Sequence, residues 1–189
     1  MIKKFLHSGY TTGACATAGV KAALIFMTTG EIVREVEITA LDGTPLKIPV
    51  ASVEKISDGV RAEVIKFSGD DPDITNGTAV FTTVKRILGD EIIFKAGLGV
   101  GHVTKAGLQL PIGEPAINPG PRKLIQNVAA EFNISGLEVE ISIPTGVELA
   151  KKTLNPILGV EGGLSVIGTT GVSRPMSEEA FKNSLVPQI

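Results

Sequence analysis

Glycines, prolines and isolated polar side chains crowd residues 97–122, which read GLGVGHVTKAGLQLPIGEPAINPGPR. Glycine permits backbone conformations and close approaches that other residues do not, whereas proline fixes φ and removes a hydrogen-bond donor. Neither a regular helix nor a strand explains this composition. A second run of the same kind, GVEGGLSVIGTTGVSRPM, covers residues 159–176. Two shaped loops predict a binding site.

Charged and polar side chains within the first run are candidates for ligand contacts. Lys105 and Arg122 stand in segments braced by glycine and proline, and a cation ordered in this way suits a carboxylate, although each also fits an ordinary surface charge. Glu114 and Asn118 flank or interrupt a segment with three prolines in seven residues, 115–121. Reduced chain freedom lowers the entropic cost of binding; the alternative is a rigid connection in which Asn118 starts a turn.

The three glycines Gly97, Gly99 and Gly101 follow a predicted strand as GxGxG. They resemble a dinucleotide-binding loop without matching its GxGxxG form, and the residues that follow do not have a helical pattern. The usual phosphate site needs that helix. A tight turn between strands is therefore an equally good interpretation.

Residues 70–73, Asp-Asp-Pro-Asp, could place carboxylates on ribose hydroxyls or on magnesium or calcium, but the same residues are typical of a turn.

Thr-Thr-Gly occurs at residues 11–13, 28–30 and 169–171. The middle copy ends a helix, whereas the outer two are placed to cap a helix or to bind an anion. Cys15 lies in a first helical turn, where a thiol pKa is lowered; burial in an alanine-rich helix is the alternative.

Composition limits the classes of function. The chain has 189 residues, 43% of them hydrophobic, and a net charge of −2, so it is globular and has no general attraction for nucleic acid or an acidic membrane. Aromatic residues make up 4%, too few for a base-stacking platform. One cysteine excludes an intramolecular disulfide, and no segment has the length of a membrane span. These features predict a soluble, cytoplasmic protein.

The candidate residues must be positioned by a mixed set of helices and strands. ACATAGVKAALIFM after Gly13 predicts a helix that ends at Gly30, and PRKLIQNVAAEF predicts a second helix beginning at Pro121. Short β-branched runs from residue 32 to 84 are separated by Asp-Gly and Asn-Gly pairs, which indicate hairpins and an antiparallel sheet. EIIFKA and LEVEISI are further strands, and VELAKKT is a short helix stopped before Asn155-Pro156.

The C-terminal stretch has a different pattern. GLSVIG predicts an apolar strand, and SEEAFKNSL predicts a helix capped by Ser177. Such a β-turn-α unit is typical of a parallel sheet. We therefore expect an α+β fold with a mostly antiparallel sheet and packed helices, followed by the first βα unit of an α/β element. The predicted boundary separates residues 1–158 from residues 159–189, the start of an apparently incomplete C-terminal portion.

The chain resembles the CbiD family, the cobalt-precorrin-5B C1-methyltransferases of the anaerobic cobalamin pathway. The resemblance runs from Tyr10 to about Ala180 through six segments in order: YTTGACATAGVKAAL, FSGDDPDITNG, GLGVGHVTKAGL, IGEPAINPGPRK, IPTGVELAKKTLNPILGVEGGLSVIGTTG and RPMSEEA. Any single segment is a weak signal, but six in sequence are specific.

The resemblance implies methyl transfer from S-adenosylmethionine to ring carbon C1 of a cobalt-containing tetrapyrrole. It implies that Lys105 and Arg122 bind substrate carboxylates, and that Glu114 and Asn118 orient the macrocycle or the methyl donor. The donor is expected at the turn formed by Gly168, Thr169, Thr170 and Gly171, which follows the predicted apolar strand. Alignment and desolvation dominate such a transfer, so no catalytic triad is needed. The protein itself needs no metal, because cobalt arrives with the substrate.

Family members extend beyond the Pro-Met-Ser-Glu region, so we expect part of the donor pocket to be absent from this chain: either another polypeptide or a homo-oligomer supplies it, or the chain is a truncated or noncatalytic relative. Two other interpretations stay open. The chain could be a noncatalytic tetrapyrrole-binding or assembly subunit, or an unrelated nucleotide-dependent enzyme that uses the glycine turns. Binding of S-adenosylmethionine distinguishes the first from an enzyme, and binding of a nicotinamide or ATP would support the second.

Overall fold

A long buried helix lies between a second helix and a five-stranded sheet in the computed structural model, which describes residues 6–175. The elements in chain order are β1 (Gly9–Tyr10), α1 (Thr12–Thr29), β2 (Glu35–Thr39), β3 (Pro45–Pro49), β4 (Ser52–Ile56), β5 (Gly59–Ile65), β6 (Ala79–Arg86), β7 (Ile92–Ala96), β8 (His102–Val103), α2 (Pro119–Glu131), β9 (Leu137–Ser142), α3 (Gly146–Ala150), α4 (Asn155–Leu158), β10 (Val160–Glu161) and β11 (Val172–Ser173).

Helix α1 is the centre of the core because small and apolar residues cover nearly all its sides. Most residues from Thr12 to Leu24 are buried, and the helix contacts β2, β5, β6 and α2. Its N-cap is Thr11, whose hydroxyl accepts a hydrogen bond from the Ala14 N–H at 3.2 Å. Gly30 ends the helix in the left-handed region with φ 77°. The predicted helix and its end are confirmed.

The main sheet has the order β4-β5-β6-β9-β7, in which three pairings are antiparallel and the β7–β9 pairing is parallel. Alternating residues of β5, β6 and β9 point into the core, as their period-2 patterns predict. The chain between β7 and β9 contains α2, so these parallel strands are joined by a helical crossover. The mostly antiparallel sheet was correctly predicted, and the parallel edge strand was not.

Turn signals in the sequence identify two hairpins. Asp42-Gly43 lies between β2 and β3, which form a separate two-stranded sheet. Asp58 lies in the turn between β4 and β5, and Gly59 is the first residue of β5. Asn76-Gly77 belongs to a longer connection between β5 and β6, residues 66–78, which we name the 66–78 loop. The strands it joins are antiparallel, as predicted.

The region after α3 departs from the sequence-based prediction. Asn155-Pro156 begins a short helix, α4, because proline is tolerated in a first turn. GLSVIG does not form a regular strand: Leu164 and Val166 make only isolated parallel bridges to Val100 and Ile117. The strand that follows Thr-Thr-Gly is instead β11, paired with β1. The predicted C-terminal helix lies outside the described residues.

Residues 159–175 are attached to the preceding chain by backbone hydrogen bonds. Val160 and Glu161 pair with β8, and the Val166 N–H donates to the Ala116 carbonyl at 2.7 Å. The boundary at residue 159 stays a prediction. Within residues 6–175, no helix combines the length and apolar character that crossing a membrane requires.

Candidate functional site

A cleft of about 1130 Å³ lies where the N-terminal ends of α1 and α2 meet the 66–78 loop and residues 164–174. Its polar lining consists chiefly of hydroxyl, amide and charged side chains: Thr11, Thr12, Lys66, Asp71, Asp73, Thr75, Gln109, Asn118, Thr153, Asn155, Ser165, Thr169, Thr170, Ser173 and Arg174. Apolar residues such as Val103, Leu108 and Leu164 complete the walls. A cleft of this size exceeds the range of about 300–1,000 Å³ that is typical of small-molecule sites.

The two helix ends are held together by the extended segment 166–168. The Gly13 N–H donates to the Ile167 carbonyl at 2.9 Å, and the Ile167 N–H donates to the Thr12 hydroxyl at 3.0 Å. On the α2 side, the Asn118 N–H donates to the Val166 carbonyl at 3.0 Å. The segment thus uses N–H groups that a helix start leaves without intrahelical partners.

Gly168 is required by this close packing. It has φ 143°, and a side chain there would collide with Thr11. The turn that begins at Gly168 is also fixed at its other end, because the Thr11 N–H donates to the Gly171 carbonyl at 3.0 Å. The turn at residues 168–171 is therefore a rigid wall of the cleft.

The 66–78 loop contributes another part of the cleft lining and is organised around a buried lysine. The Lys66 side chain is 2% exposed and its ammonium donates to Asp73 at 2.7 Å and to the Ser68 hydroxyl. The other Asp73 oxygen accepts hydrogen bonds from both the N–H and the hydroxyl of Thr75 at 2.7 Å. Burial of a cation is costly unless it is paired in this way.

The pKa of Asp73 reflects these contacts. Burial acts to raise it, but hydrogen bonds from Lys66 and Thr75 favour the ionised form and hold the pKa below its ordinary value of 3.8. The Asp73 carboxylate that accepts from Lys66 is therefore ionised at neutral pH.

The cleft contains two further charged side chains. Asp71 accepts a hydrogen bond from the Ser173 hydroxyl at 2.9 Å, which links the 66–78 loop to β11. Arg174 donates to Asp42 at 2.7 Å on the rim and is 66% exposed. Lys66 and Arg174 each have a carboxylate partner, whereas Asp71 has no cation within 4.0 Å among residues 6–175.

The structure brings four of the predicted site residues together. Asn118, Gly168, Thr169 and Thr170 all line the cleft. Gly171 lies behind this surface, facing Leu124 and Ala14. The Asn118 side chain makes no capping hydrogen bond, although the residue is the N-cap of α2.

Arg122 and Glu114 contact each other outside the cleft lining. The Arg122 guanidinium donates to Glu114 at 2.8 Å, to the Ile117 carbonyl at 2.8 Å and to the Pro115 carbonyl at 3.2 Å. It also lies 5.1 Å from the centre of the Phe94 ring. These contacts brace the proline-rich connection before α2.

Lys105 is exposed and contacts a different segment of the chain. Its ammonium donates to the carbonyl of Ile157, in α4, at 3.3 Å. Because an ammonium has three donors, this contact leaves Lys105 capable of binding a carboxylate. Its substrate-binding role stays a prediction, as do those of Arg122, Glu114 and Asn118.

The glycine run has a packing role. A side chain at Gly99 would collide with the Ile143 carbonyl, one at Gly97 with Ser142, and one at Gly101 would approach the Glu161 carbonyl. Gly99 also has φ 77°. Other segments pack directly against these glycines and a turn occupies residues 98–99, which favours the tight-turn interpretation over a dinucleotide-binding loop.

Cys15 is a core residue. It is 0% exposed, and burial raises the pKa of its thiol to about 12. The expectation of a lowered thiol pKa is therefore wrong, and burial in the alanine-rich helix is confirmed.

The carboxylates of residues 70–73 have separate protein partners. Asp70 accepts from the His7 N–H at 2.7 Å, Asp71 from Ser173 and Asp73 from Lys66. Among residues 6–175, no group of three or more His, Cys, Asp or Glu side chains is arranged to hold a metal ion.

Sequence reasoning missed several residues of the cleft. Thr153, Asn155 and Ser165 lie in the fifth family segment, but nothing in their types marked them as site residues; Asn155 accepts a hydrogen bond from Ser165 at 3.2 Å. Lys66 directly precedes the FSGDDPDITNG segment, but its role depends on burial, which a single basic residue in the sequence does not indicate.

The family model for CbiD matches residues 2–175. The chain belongs to the CbiD family. It is 50% identical over 191 residues to a protein of Moorella thermoacetica named cobalt-precorrin-5B C(1)-methyltransferase, covering 100% of this chain and 52% of that protein. A protein of Methanocaldococcus jannaschii with the same name is 53% identical over 184 residues, which cover 96% of this chain and 51% of that protein.

A crystal structure of the cobalamin biosynthesis protein CbiD from Archaeoglobus fulgidus has a similar fold. The TM-score is 0.72 at 34% identity, with 97% of this chain and 60% of that chain covered. The chain thus spans about half the length of the curated CbiD relatives that it matches.

Proposed function

We propose that this CbiD chain catalyses S-adenosylmethionine-dependent methyl transfer to carbon C1 of cobalt-precorrin-5B. The observation that carries the proposal is the 50% identity, across the whole chain, to a relative named for that reaction. The cleft supports it, because a tetrapyrrole and a methyl donor need more room than a single drug-sized ligand, and the volume is about 1130 Å³.

The residues of the cleft suit the methyl donor. The rigid turn at residues 168–171 offers hydroxyls and backbone groups, and Asn118 adds an amide. Apolar residues next to them, including Leu164 and Ile167, limit water around a reacting centre. When bound, S-adenosylmethionine supplies an electrophilic methyl: the ring carbon's electron pair forms the new C–C bond, and the C–S electrons remain on sulfur.

The substrate's carboxylates are assigned to cations near the cleft. Lys105 has ammonium donors available and binds one carboxylate. Arg122 binds a second only by sharing its guanidinium with Glu114, with which it is paired at 2.8 Å. Glu114 and Asn118 orient the macrocycle. Cobalt is part of this substrate, so the chain supplies no metal ligands.

The test is a methyl-transfer assay with cobalt-precorrin-5B and donor carrying a labelled methyl group. The expected result is a product whose mass has increased by one labelled methylene and formation of S-adenosylhomocysteine. Folded protein that binds the tetrapyrrole but transfers no label would contradict the proposal and support a noncatalytic tetrapyrrole-binding subunit.

A calorimetric titration with S-adenosylhomocysteine separates binding from catalysis. A dissociation constant near 1 μM corresponds to about −8 kcal/mol and is the expected order of magnitude. Titration of Thr169→Ala and Thr170→Ala should give weaker binding, whereas Lys105→Ala should alter tetrapyrrole binding and leave donor binding unchanged.

A further inference from the structure

The charged side chains that line the cleft differ in whether they have a partner of opposite charge. Its charged side chains within residues 6–175 are Lys66, Asp71, Asp73 and Arg174. Lys66 is neutralised by Asp73, and Arg174 by Asp42, each at 2.7 Å. Asp71 is left as the carboxylate without a cationic partner in this part of the chain.

Asp71 is nevertheless held in a defined position. It is partly buried, and its Oδ2 accepts a hydrogen bond from Ser173 at 2.9 Å. Ser173 is buried in β11, directly after the turn at residues 168–171. The hydroxyl contact orients this carboxylate without neutralising it, so the part of the site formed by residues 6–175 has a carboxylate without a cationic partner.

We propose that Asp71, positioned by Ser173, binds the sulfonium of S-adenosylmethionine and thereby distinguishes the methyl donor from its product. The inference rests on the proposed function. A sulfonium carries a positive charge but no N–H group, so it needs a nearby anion and few hydrogen-bond acceptors. Asp71 supplies this charge, and the neighbouring lining residues Ile74 and Val172 are apolar.

An ammonium fits this position less well. It has three N–H donors that need acceptors, but both oxygens of the next carboxylate, Asp73, already accept from Lys66 and Thr75. The Thr75 hydroxyl is likewise used as a donor to Asp73.

Methyl transfer changes the charge that Asp71 contacts. As the ring carbon's electron pair forms the C–C bond, the C–S bond breaks and its electrons return to sulfur. Sulfonium becomes a neutral thioether, and the positive charge passes to the macrocycle, which then releases a proton, so that the net gain is one methylene. The attraction to Asp71 is greatest before transfer, so the residue strengthens donor binding without accelerating the chemical step.

The experiment compares titrations of S-adenosylmethionine and S-adenosylhomocysteine into the wild-type chain and Asp71→Asn. The two ligands share the adenosine, ammonium and carboxylate groups and differ at sulfur. Asp71→Asn should weaken binding of S-adenosylmethionine about tenfold, within the range for a partly buried charge contact, and that of S-adenosylhomocysteine less than about twofold. In steady-state assays, KM for the donor should rise and kcat should not fall, because the contact is stronger before transfer than in the transition state.

Ser173→Ala is the second variant, because it keeps the carboxylate but removes its hydrogen bond. It should show a smaller selective loss in the same direction. Asp70→Asn is the matched control: the same chemical change in the adjacent residue, which contacts His7 and does not line the cleft. Circular dichroism and thermal unfolding check that each variant is folded.

Equal losses for the two ligands, or unchanged affinities in folded Asp71→Asn, would overturn the assignment of Asp71 while leaving the proposed function intact. If wild-type protein binds neither ligand, the proposed function fails for this chain and the assignment fails with it.

Discussion

At the residue scale, the ion pair between Lys66 and Asp73 organises one wall of the cleft. Lys66 is almost fully buried, whereas Asp73 reaches the cleft surface with 28% of its side chain exposed. Replacing one of the two residues leaves the charge of the other buried without a partner. A single substitution should therefore lower the free energy of unfolding more than replacement of both residues does. This asymmetry gives the first prediction.

Lys66→Met keeps the side-chain length and removes the charge. It should lower the free energy of unfolding by about 3 kcal/mol, because the partly buried Asp73 loses its cation. The double variant Lys66→Met/Asp73→Asn should recover part of this loss. Urea denaturation measures the free energy of unfolding of each variant. A double variant whose loss equals the sum of the two single losses would show that the two residues are not coupled.

The stability contributed by Asp73 should depend on pH. Its pKa in the folded protein lies below 3.8, so the unfolded chain binds the proton more readily. The contribution is fully present above the unfolded value and is lost as pH falls through the folded pKa. The difference in unfolding free energy between wild type and Asp73→Asn should therefore shrink below about pH 4; a difference that grows on acidification would contradict this.

Cys15 should be chemically silent in the native protein. It is buried and the pKa of its thiol is about 12, so Ellman's reagent at a pH near 8 should react only after unfolding in urea. Because the chain has one cysteine, the absorbance reports on this residue directly. Rapid labelling of folded protein would show that the thiol is accessible, and Cys15→Ala should retain donor binding.

At the element scale, the turn at residues 168–171 joins the starts of α1 and α2 and forms a wall of the cleft. Gly168→Ala should be strongly unfavourable, because φ is 143° and a side chain would collide with Thr11. Gly162→Ala is the control, since Gly162 has φ 86° but no atom within 4 Å of an added side chain. The control should cost about 1 kcal/mol from backbone strain.

Gly168→Ala should cost more than this control and should also weaken binding of S-adenosylhomocysteine. Both variants place alanine at a positive φ, but only Gly168→Ala adds a collision. The difference between them in unfolding free energy, from urea denaturation, and in ligand affinity, from calorimetry, therefore measures the effect of the collision. If Gly168→Ala and Gly162→Ala had the same unfolding free energy and the same affinity for S-adenosylhomocysteine, the turn would have no role in the cleft.

Local elements were predictable where one residue pattern decides the conformation. The alanine-rich helix ending at Gly30 and the Asp-Gly hairpins are examples, because capping and turn geometry act over a few residues. The parallel placement of β7 beside β9 depends on a crossover through α2, so it has no local signal. GLSVIG is apolar because Leu164 and Val166 are buried between segments, and this composition was mistaken for a strand.

At the scale of the whole molecule, the cleft is assembled from segments that are distant in sequence. The Thr12–Ile167 and Asp71–Ser173 contacts span 155 and 102 residues. Sequence reasoning located the turn at residues 168–171 and Asn118, since glycine, threonine and proline patterns indicate shaped loops. It could not recognise that Lys66 is buried or that Arg122 is already paired, because both facts arise from tertiary packing.

The most direct test of the account is a crystal structure of the protein with S-adenosylhomocysteine bound. The predicted result is ligand density in the cleft, in contact with the turn at residues 168–171 and with its sulfur facing Asp71. Density at the glycine run of residues 97–101, or at any surface outside the cleft, would contradict the claim that this cleft is the methyl-donor site.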